Sequence, residues 1–235
     1  MCGRFTYLYT WEQLQRLMNL AGMSPLDIRA SYNVAPTQFA PIVRLNENGE
    51  RIASMLRWGL IPSWSKDESI GSRCINARSE DAATKLAYRG AAKSRRCLVP
   101  LSSFYEWQTI DGQEQKQPWS IRVRDVPLFA VAGLWERWEQ GLEPIETFAM
   151  LTRSPNSLIA RIHDRMPVIV RPEHYDAWLD PKNENYASLE NVVEAFPAEQ
   201  MEMHRVSTRV NSVRNDDAAL LSEVQQTKEA PTLFS

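Results

Sequence analysis

Residues 97–135, CLVPLSSFYEWQTIDGQEQKQPWSIRVRDVPLFAVAGLW, decide the fold class of this chain. Asp111-Gly112 is typical of a hairpin turn, and strand-like runs lie before and after it. The stretch is therefore predicted to form a succession of strands, at Cys97–Val99, Phe104–Gln108, Trp119–Val123 and Leu128–Trp135.

Outward from this centre the pattern predicts further strands and several helices. Thr10–Gly22 is predicted as a helix, because Thr10 and Gln13 form a capping box. Ser31–Pro36 is predicted as a loop. The other expected strands are 41–45, 51–57, 147–152, 166–170 and 202–207, and the other expected helices are 79–88, 157–162, 173–179 and 187–196. This arrangement predicts an α+β fold with helices around a strand-rich centre.

The composition predicts one domain. The chain has 235 residues, is 43% hydrophobic and 24% charged, and contains no Pro/Gly/Ser-rich linker. We expect a single domain over residues 1–220 and a C-terminal tail over 221–235, since periodicity fades from about Asp216. No secretory signal and no run of 18 apolar residues occur, so we expect no membrane association. The three cysteines fit a reducing cytoplasm, and nothing has zinc-site spacing, so no metal is expected.

Charge is unevenly distributed along the chain. The net charge is −2, yet residues 1–100 hold 14 Lys and Arg against 8 Asp and Glu, while the remainder holds 13 against 21. This asymmetry permits one basic face on a slightly acidic protein. It argues against tight, indiscriminate binding along duplex DNA, which requires many phosphate contacts.

Cys2 is the most informative position. A small residue after the initiator Met permits removal of that Met, which would place a free α-amine beside the thiol of Cys2. An α-amine has a pKa of about 7.7–8.0, so part of it is neutral and nucleophilic at cellular pH. Such an exposed 1,2-aminothiol can condense with an aldehyde to an imine and then close a thiazolidine ring. Alternatively the thiol alone attacks an amide with the amine as its base, or the cysteine is inert.

Three later segments carry further candidate side chains. Asn76 can orient a hydroxyl or phosphate, and Arg78 can contact phosphate oxygens, although this segment also fits a simple helix cap. Glu106 lies inside an aromatic strand, where a core-facing carboxylate is costly unless it is paired or functional. His163 is one of three histidines, and the charged residues Asp164 and Arg165 beside it can set its orientation and charge. A structural histidine and a solvent-facing Glu106 remain open alternatives.

Together these segments resemble the SOS response-associated peptidase family, whose members are abasic-site processing proteins. The resemblance extends to about residue 220 and rests on six ordered motifs, CGRF from Cys2, YNVAP from Tyr32, RWGLIP from Arg57, INARSE from Ile75, FYEW from Phe104 and IHDRMP from Ile162. It implies a single α+β domain with a barrel-like mixed sheet and a positively charged groove for single-stranded DNA.

The resemblance also implies roles for individual residues. Cys2 would form a thiazolidine with the ring-opened abasic sugar, in response to DNA damage. Asn76 would position the sugar, Glu106 would assist proton transfers, and His163 would act at the sugar ring. Arg4 and Arg78 would hold flanking phosphates. The peptidase label would correspond to self-removal of residues ahead of Cys2, which here means Met1 alone, and a weak lyase activity at the abasic site is chemically reasonable.

Further contacts to DNA are expected from loops. Trp58 and Trp64 can stack on bases or wedge at a single-strand/duplex junction, although both also fit a core. Asn33 and Pro36 would shape the groove. We expect no cofactor and a monomer, in the cytoplasm and on the nucleoid when cross-linked. The alternatives are an N-terminal-nucleophile amidohydrolase, since Met-Cys-Gly also begins glutamine amidotransferases, and a non-covalent single-stranded-DNA binding module.

Overall fold

The strands dominate the computed structural model, which describes residues 2–22 and 25–225. Within these residues the strands, in chain order, are β1 Arg4–Tyr7, β2 Ser31–Val34, β3 Phe39–Leu45, β4 Arg51–Trp58, β5 Asn76–Arg78, β6 Arg96–Leu101, β7 Ser103–Gln108, β8 Gln117–Val123, β9 Phe129–Trp138, β10 Ile145–Arg153, β11 Met166–Pro167, β12 Ile169–Val170 and β13 Met201–Arg205. Every strand predicted between 97 and 152 is present, and the hairpin of β3 and β4 is confirmed.

Five of these strands close into a barrel. β3 pairs antiparallel with β4, and β4 pairs parallel with β10. β10 then pairs with β9, β9 with β6, and β6 returns to β3 through Val43 and Leu98. The short strands β5 and β11 attach to β10, and β12 attaches to β9. The mixed, barrel-like sheet implied by the sequence is therefore confirmed, and closure leaves these five strands without a free edge.

The other five strands form an open antiparallel sheet in the order β13-β8-β7-β1-β2. β1 lies between β7 and β2, with Arg4 opposite Tyr105 and Phe5 opposite both Phe104 and Val34. The expectation of a loop over residues 31–36 was therefore wrong for its first four residues. Pairing with β1 supplies the backbone hydrogen bonds there, and no local sequence signal reports that pairing.

After β4 the chain passes close to a later part of itself at two glycines, Gly59 and Gly71. Gly59 has a φ of +120°, and a Cβ on it would lie 2.7 Å from the carbonyl oxygen of Gly71. Only glycine combines this backbone conformation with so close an approach. The crossing explains why the RWGLIP motif leaves regular structure directly after β4, and it holds Ile75 and the following β5 close to the barrel, where the Trp58 indole donates to Ile75 O at 2.9 Å.

The helices are short and lie around the sheets. α1, Trp11–Met18, has the predicted capping box of Thr10 and Gln13, but it ends at Asn19 in the left-handed conformation rather than at Gly22. The predicted helix over 79–88 was wrong. Ser79 N still donates to Thr152 O of β10 at 2.8 Å, so turns follow and the helix begins later. The remaining helices are α2 Arg89–Ser94, α3 Tyr175–Leu179 and the 3-10 helices Glu68–Arg73, Ile159–Arg161, Pro172–His174, Tyr186–Val193, Ala198–Gln200, Thr208–Asn211 and Ala218–Leu221.

The C-terminal part of the described chain packs on the open sheet. The Asp216 carboxylate accepts hydrogen bonds from the Ser31 hydroxyl and the Tyr32 backbone N–H, and Leu220 is fully buried. Val224 N donates to Arg205 O of β13 at 3.0 Å. Of the predicted tail over 221–235, residues 226–235 lie outside the described residues.

Candidate active site

Cys2 begins the site, directly before β1. Its side chain is fully buried, so the expectation of an exposed cysteine was wrong for the chain that still carries Met1. Burial and the nearby negative charge of Glu106 raise the pKa of the Cys2 thiol well above its ordinary value. The thiol is therefore protonated at neutral pH, and a base must take its proton before the sulfur attacks.

Asn76 holds the backbone of Cys2. Its side-chain amide donates to the Cys2 carbonyl oxygen at 2.8 Å. Pairing of Asn76 with Met150 of β10 and a 3.0 Å hydrogen bond from the Tyr88 hydroxyl to Asn76 O fix its backbone. Asn76 Oδ1 is buried and accepts no hydrogen bond from the residues that the structure describes. The side chain thus holds the backbone of Cys2 through its Nδ2, while its Oδ1 can accept a hydrogen bond from another donor.

Glu106 is a buried carboxylate on β7, the neighbour of β1. Its residue is 1% exposed, and burial raises its pKa from 4.5 to about 7. A carboxyl with this pKa is present in both protonation states at neutral pH. It can therefore both accept and donate a proton during one reaction.

His163 faces Glu106 from the loop that precedes β11. Its Nε2 lies 3.6 Å from Glu106 Oε2, and its Nδ1 accepts from the Arg165 backbone N–H at 3.0 Å. Partial burial lowers the pKa of His163, whereas Asp164 acts in the opposite direction. The imidazole is therefore mostly neutral near pH 7, which suits exchange of a proton rather than simple charge pairing.

These contacts connect four elements from distant parts of the sequence. A 2.8 Å hydrogen bond joins the residue before β1 to β5, and a 3.6 Å approach joins β7 to the 159–165 segment. The negative charge of Glu106 also raises the pKa of the Cys2 thiol, which links the Cys2–Asn76 pair to the Glu106–His163 pair. The result is a protonated nucleophile beside two titratable groups, Glu106 with a raised pKa and His163 with a lowered one, an arrangement suited to acid–base chemistry.

Arg4 and Asn33 lie next to the site but are engaged with protein groups. Arg4 Nη1 donates to Asn33 Oδ1 at 2.9 Å and to Val210 O at 2.7 Å. The Asn33 amide donates to the carbonyl oxygens of Val210, Ser212 and Asn215 at 2.8–3.2 Å. Asn33 is 2% exposed, so in this structure it supports the backbone beside the site and does not line an open groove.

The expected loop contacts to DNA divide into buried and accessible residues. Trp58 is fully buried and stacks with Phe148 at 6.3 Å between ring centroids, so its expected stacking on bases is corrected to a role in the core. Trp64 is 51% exposed, Arg78 is exposed and Pro36 is half-buried. A backbone φ of +73° at Thr37, unusual for a β-branched residue, makes the turn after Pro36 sharp.

Two charged groups near His163 were not singled out as site residues by the sequence. Glu80, predicted in the first turn of a helix, forms an ion pair with Arg165, and Lys116 acts on His163 by its charge. Both Arg165 and Glu80 lie within motifs that the sequence singled out. Their pairing had no signal in the sequence, because it is a contact across 85 residues.

The described residues contain no cluster of three or more His, Cys, Asp or Glu that would hold a metal ion. Within the same parts of the chain no helix is long and apolar enough to cross a membrane.

Comparisons with known proteins identify relatives over nearly the full chain. The profile described as SOS response associated peptidase (SRAP) matches residues 1–213. The abasic site processing protein YoaM of Bacillus subtilis is 41% identical over 224 residues, covering 94% of this chain and 97% of the relative. The abasic site processing protein HMCES of Gallus gallus is 31% identical, covering 84% and 67%.

Solved structures have the same fold. A Bacteroides thetaiotaomicron protein superposes with a TM-score of 0.83 at 24% identity, covering 95% of this chain and all of its own. At this identity the likeness concerns the fold alone.

Proposed function

The chain belongs to the SOS response associated peptidase family, and from this premise we propose that it captures abasic sites in single-stranded DNA as a covalent thiazolidine on Cys2. Its relatives are named abasic site processing proteins. An abasic deoxyribose carries a latent aldehyde, and a free N-terminal cysteine is a selective partner for an aldehyde. Capture shields the lesion and belongs to the response to DNA damage.

One observation carries the proposal: Asn76 holds the Cys2 carbonyl, and beside it Glu106, whose pKa burial raises to about 7, faces His163, whose pKa burial lowers. A buried carboxylate that must become protonated costs stability, so it would be a disadvantage beside an N-terminus with a structural role alone. Acid–base chemistry needs such a group.

The first steps open the sugar and form an imine. The closed hemiacetal opens when a proton reaches its ring oxygen and the 1-hydroxyl loses one. The protonated Glu106 carboxyl can donate the first from one oxygen and accept the second on the other, with the neutral His163 imidazole as a hydrogen-bond donor beside it. After loss of Met1 the α-amine of Cys2 adds to the aldehyde carbon. The carbinolamine then expels its hydroxyl with a proton from Glu106, which yields an imine and one water.

The last step closes the ring. The buried thiol is protonated, so ionised Glu106 takes the proton as the sulfur adds to the imine carbon. A C–S bond forms and the imine π electrons move to nitrogen, which still carries the N–H proton left when Glu106 protonated the departing hydroxyl. Aldehyde and aminothiol have then combined with net loss of one water. Asn76 Oδ1 is positioned to accept from the amine or from a sugar hydroxyl.

Two minor activities belong to the same chemistry. The imine intermediate makes the sugar proton next to its carbon acidic, so β-elimination and weak strand cleavage compete with ring closure. The thiol with its neighbouring base also suits self-removal of Met1, the peptidase activity that the family description names.

The DNA would approach as a single strand or at a single-strand/duplex junction. Trp64 is accessible for stacking and Arg78 for phosphate contact. Pro36, which is half-buried, would shape the groove. Arg4 would contribute its charge through its position beside the site rather than as a free side chain. The protein would act as a cytoplasmic monomer.

The test is denaturing gel electrophoresis with a single-stranded oligonucleotide that carries one abasic site. The mature wild type is expected to give a heat-stable shifted band with this strand and none with an intact strand. Cys2→Ala and Cys2→Ser both keep the α-amine and lose the thiol, so neither should give a heat-stable band, and each should give only an imine that borohydride traps. Cys97→Ala is the matched control, since it removes another fully buried thiol and should leave the band unchanged.

A band that persists in Cys2→Ala, or no band from wild type whose Met1 is shown absent by mass spectrometry, contradicts the proposal. A glutaminase assay would then test the amidohydrolase alternative, and equal binding of intact and abasic strands would support the non-covalent module.

A further inference from the structure

A two-pronged ion pair joins the segment after β5 to the loop that carries His163. Arg165 Nη1 donates to Glu80 Oε1 at 2.8 Å, and Nη2 donates to Glu80 Oε2 at 2.7 Å and to Thr152 O at 2.7 Å. The Arg165 side chain is 13% exposed, and the partnership holds the pKa of Glu80 at about 2. Such parallel charge-assisted bonds fix both distance and orientation.

The ion pair lies where three strands meet. Thr152 of β10 pairs with Arg78 of β5 and with Pro167 of β11. Arg165 immediately precedes β11, so its guanidinium ties the start of that strand to the end of β5. Asn76 lies at the other end of the three-residue β5. The ion pair therefore sets the position of the His163 loop relative to the strand that holds Cys2.

The same residue contacts the imidazole through its backbone. The Arg165 N–H donates to His163 Nδ1 at 3.0 Å, which makes Nδ1 an acceptor and leaves the ring proton on Nε2, the nitrogen that faces Glu106. Asp164 Oδ1 is also 3.0 Å from Nδ1 and favours the opposite arrangement, with a proton on Nδ1. The Asp164 side chain is 88% exposed and screened by water, so the backbone donor prevails as long as it is held in place.

We propose that Glu80 and Arg165 are positioning residues which hold the Arg165 N–H against His163 Nδ1, so that His163 presents an Nε2–H to Glu106 and the sugar. The role deepens the proposed function and rests on it for its purpose. Neither side chain touches the reacting atoms in this role. Loosening the ion pair lets Asp164 draw the ring proton to Nδ1, and the nitrogen facing Glu106 then offers a lone pair instead of an N–H donor.

The direct test reads the imidazole in the free protein. Long-range ¹H–¹⁵N spectra of ¹⁵N-histidine-labelled mature protein distinguish the two tautomers, and a His163→Asn variant assigns the signal among three histidines. The wild type is expected to show the Nε2–H form. Glu80→Gln should convert at least a third of the His163 signal to the Nδ1–H or charged form, whereas Glu80→Asp, which keeps the charge, should restore the wild-type pattern in large part.

A matched control exists near the other end of β10. Arg44 and Glu146 form the same two-pronged pair at 2.9 and 2.7 Å, with the Arg side chain again 13% exposed. Glu146→Gln should leave the His163 signal unchanged. An unchanged His163 signal in a folded Glu80→Gln protein, or an equal change in Glu146→Gln, overturns the proposal.

Cross-linking kinetics separate positioning from DNA binding. Glu80→Gln should lower the maximal single-turnover rate roughly tenfold at an unchanged half-saturating DNA concentration. A raised half-saturating concentration with an unchanged maximal rate would contradict positioning. If the wild type itself forms no cross-link, the proposed function fails, while the spectra of the free protein still decide whether Glu80 and Arg165 position His163.

Discussion

The closed barrel and the open sheet each bury one carboxylate within a strand, and the two carboxylates have different partners. Glu136, on β9 of the barrel, is 6% exposed and accepts from Arg95 Nη2 at 2.7 Å and from the Arg137 N–H at 3.1 Å. Glu106, on β7 of the open sheet, is 1% exposed and faces the imidazole of His163 at 3.6 Å. One carboxylate meets a permanent cation, and the other meets a group that is itself titratable.

The difference separates a structural carboxylate from a chemical one. The guanidinium of Arg95 is a permanent cation, so its ion pair with Glu136 contributes to the stability of the barrel. Burial raises the pKa of Glu106 to about 7, and His163, whose own pKa is lowered, provides no permanent positive charge to lower it again. This arrangement costs stability and is typical of a functional site. Burial alone therefore does not identify the functional carboxylate, whereas the nature of its partner does.

The largest expected effect comes from Glu106→Gln. The amide has a similar shape but transfers no protons, so the single-turnover rate of cross-linking to an abasic strand should fall roughly 10²–10⁴-fold. Glu136→Gln is the control and should cross-link at the wild-type rate per folded molecule. Equal losses in the two variants would remove the distinction between the carboxylates.

The next effect is on stability and depends on pH. Since burial raises the pKa of Glu106 from 4.5 to about 7, the folded protein keeps a proton that the unfolded chain releases between these values. The wild type should therefore lose roughly 3 kcal/mol of this contribution as the pH rises from about 4.5 to 7. Glu106→Gln lacks this loss, so its stability relative to wild type should increase over the same interval. Urea unfolding at pH 5 and pH 8 measures the difference, and parallel pH curves would contradict it.

The smallest effect is expected from Glu136→Gln itself. Arg95 loses a charged acceptor but remains one-third exposed, so water replaces part of the lost interaction. We expect a decrease of about 1–2 kcal/mol in the free energy of unfolding, measured by urea titration at pH 7. A decrease above about 4 kcal/mol would mean that the barrel depends on this pair far more than its exposure indicates.

The sequence predicted the strands over 97–152 well because they are long and their turns are marked. β7 and β8 of the open sheet and β9 of the barrel each have six or more residues, and Gly112, with a φ of +79°, makes the turn expected at Asp111-Gly112. The other strands of the open sheet and of the site are shorter. β1, β2 and β5 have three or four residues, and their hydrogen bonds come from partners distant in sequence, which local patterns do not report.

The site was predicted through motifs, and its geometry was not. The motifs name Cys2, Asn76, Glu106 and His163. The contact of Asn76 with the sugar stays a prediction, and the hydrogen bond of its amide to the Cys2 carbonyl was not predicted. Arg4 and Trp58 carry no local signal for their actual partners either. Arg4 binds a carbonyl 206 residues away, and Trp58 is enclosed by a barrel that exists only after the chain has folded.

The bonds of Arg4 to Val210 and Asn211 have a consequence for synthesis on the ribosome. Cys2 emerges first, but its enclosure needs β7, the His163 loop and finally residues 210–211. At about 5–20 residues per second, roughly 10–40 s pass between these events. During that interval the N-terminus is open to the enzyme that removes initiator methionines. Removal of Met1 during this interval would need no catalysis by the folded site, so the proposed self-removal would act only on chains that still carry Met1 when they fold.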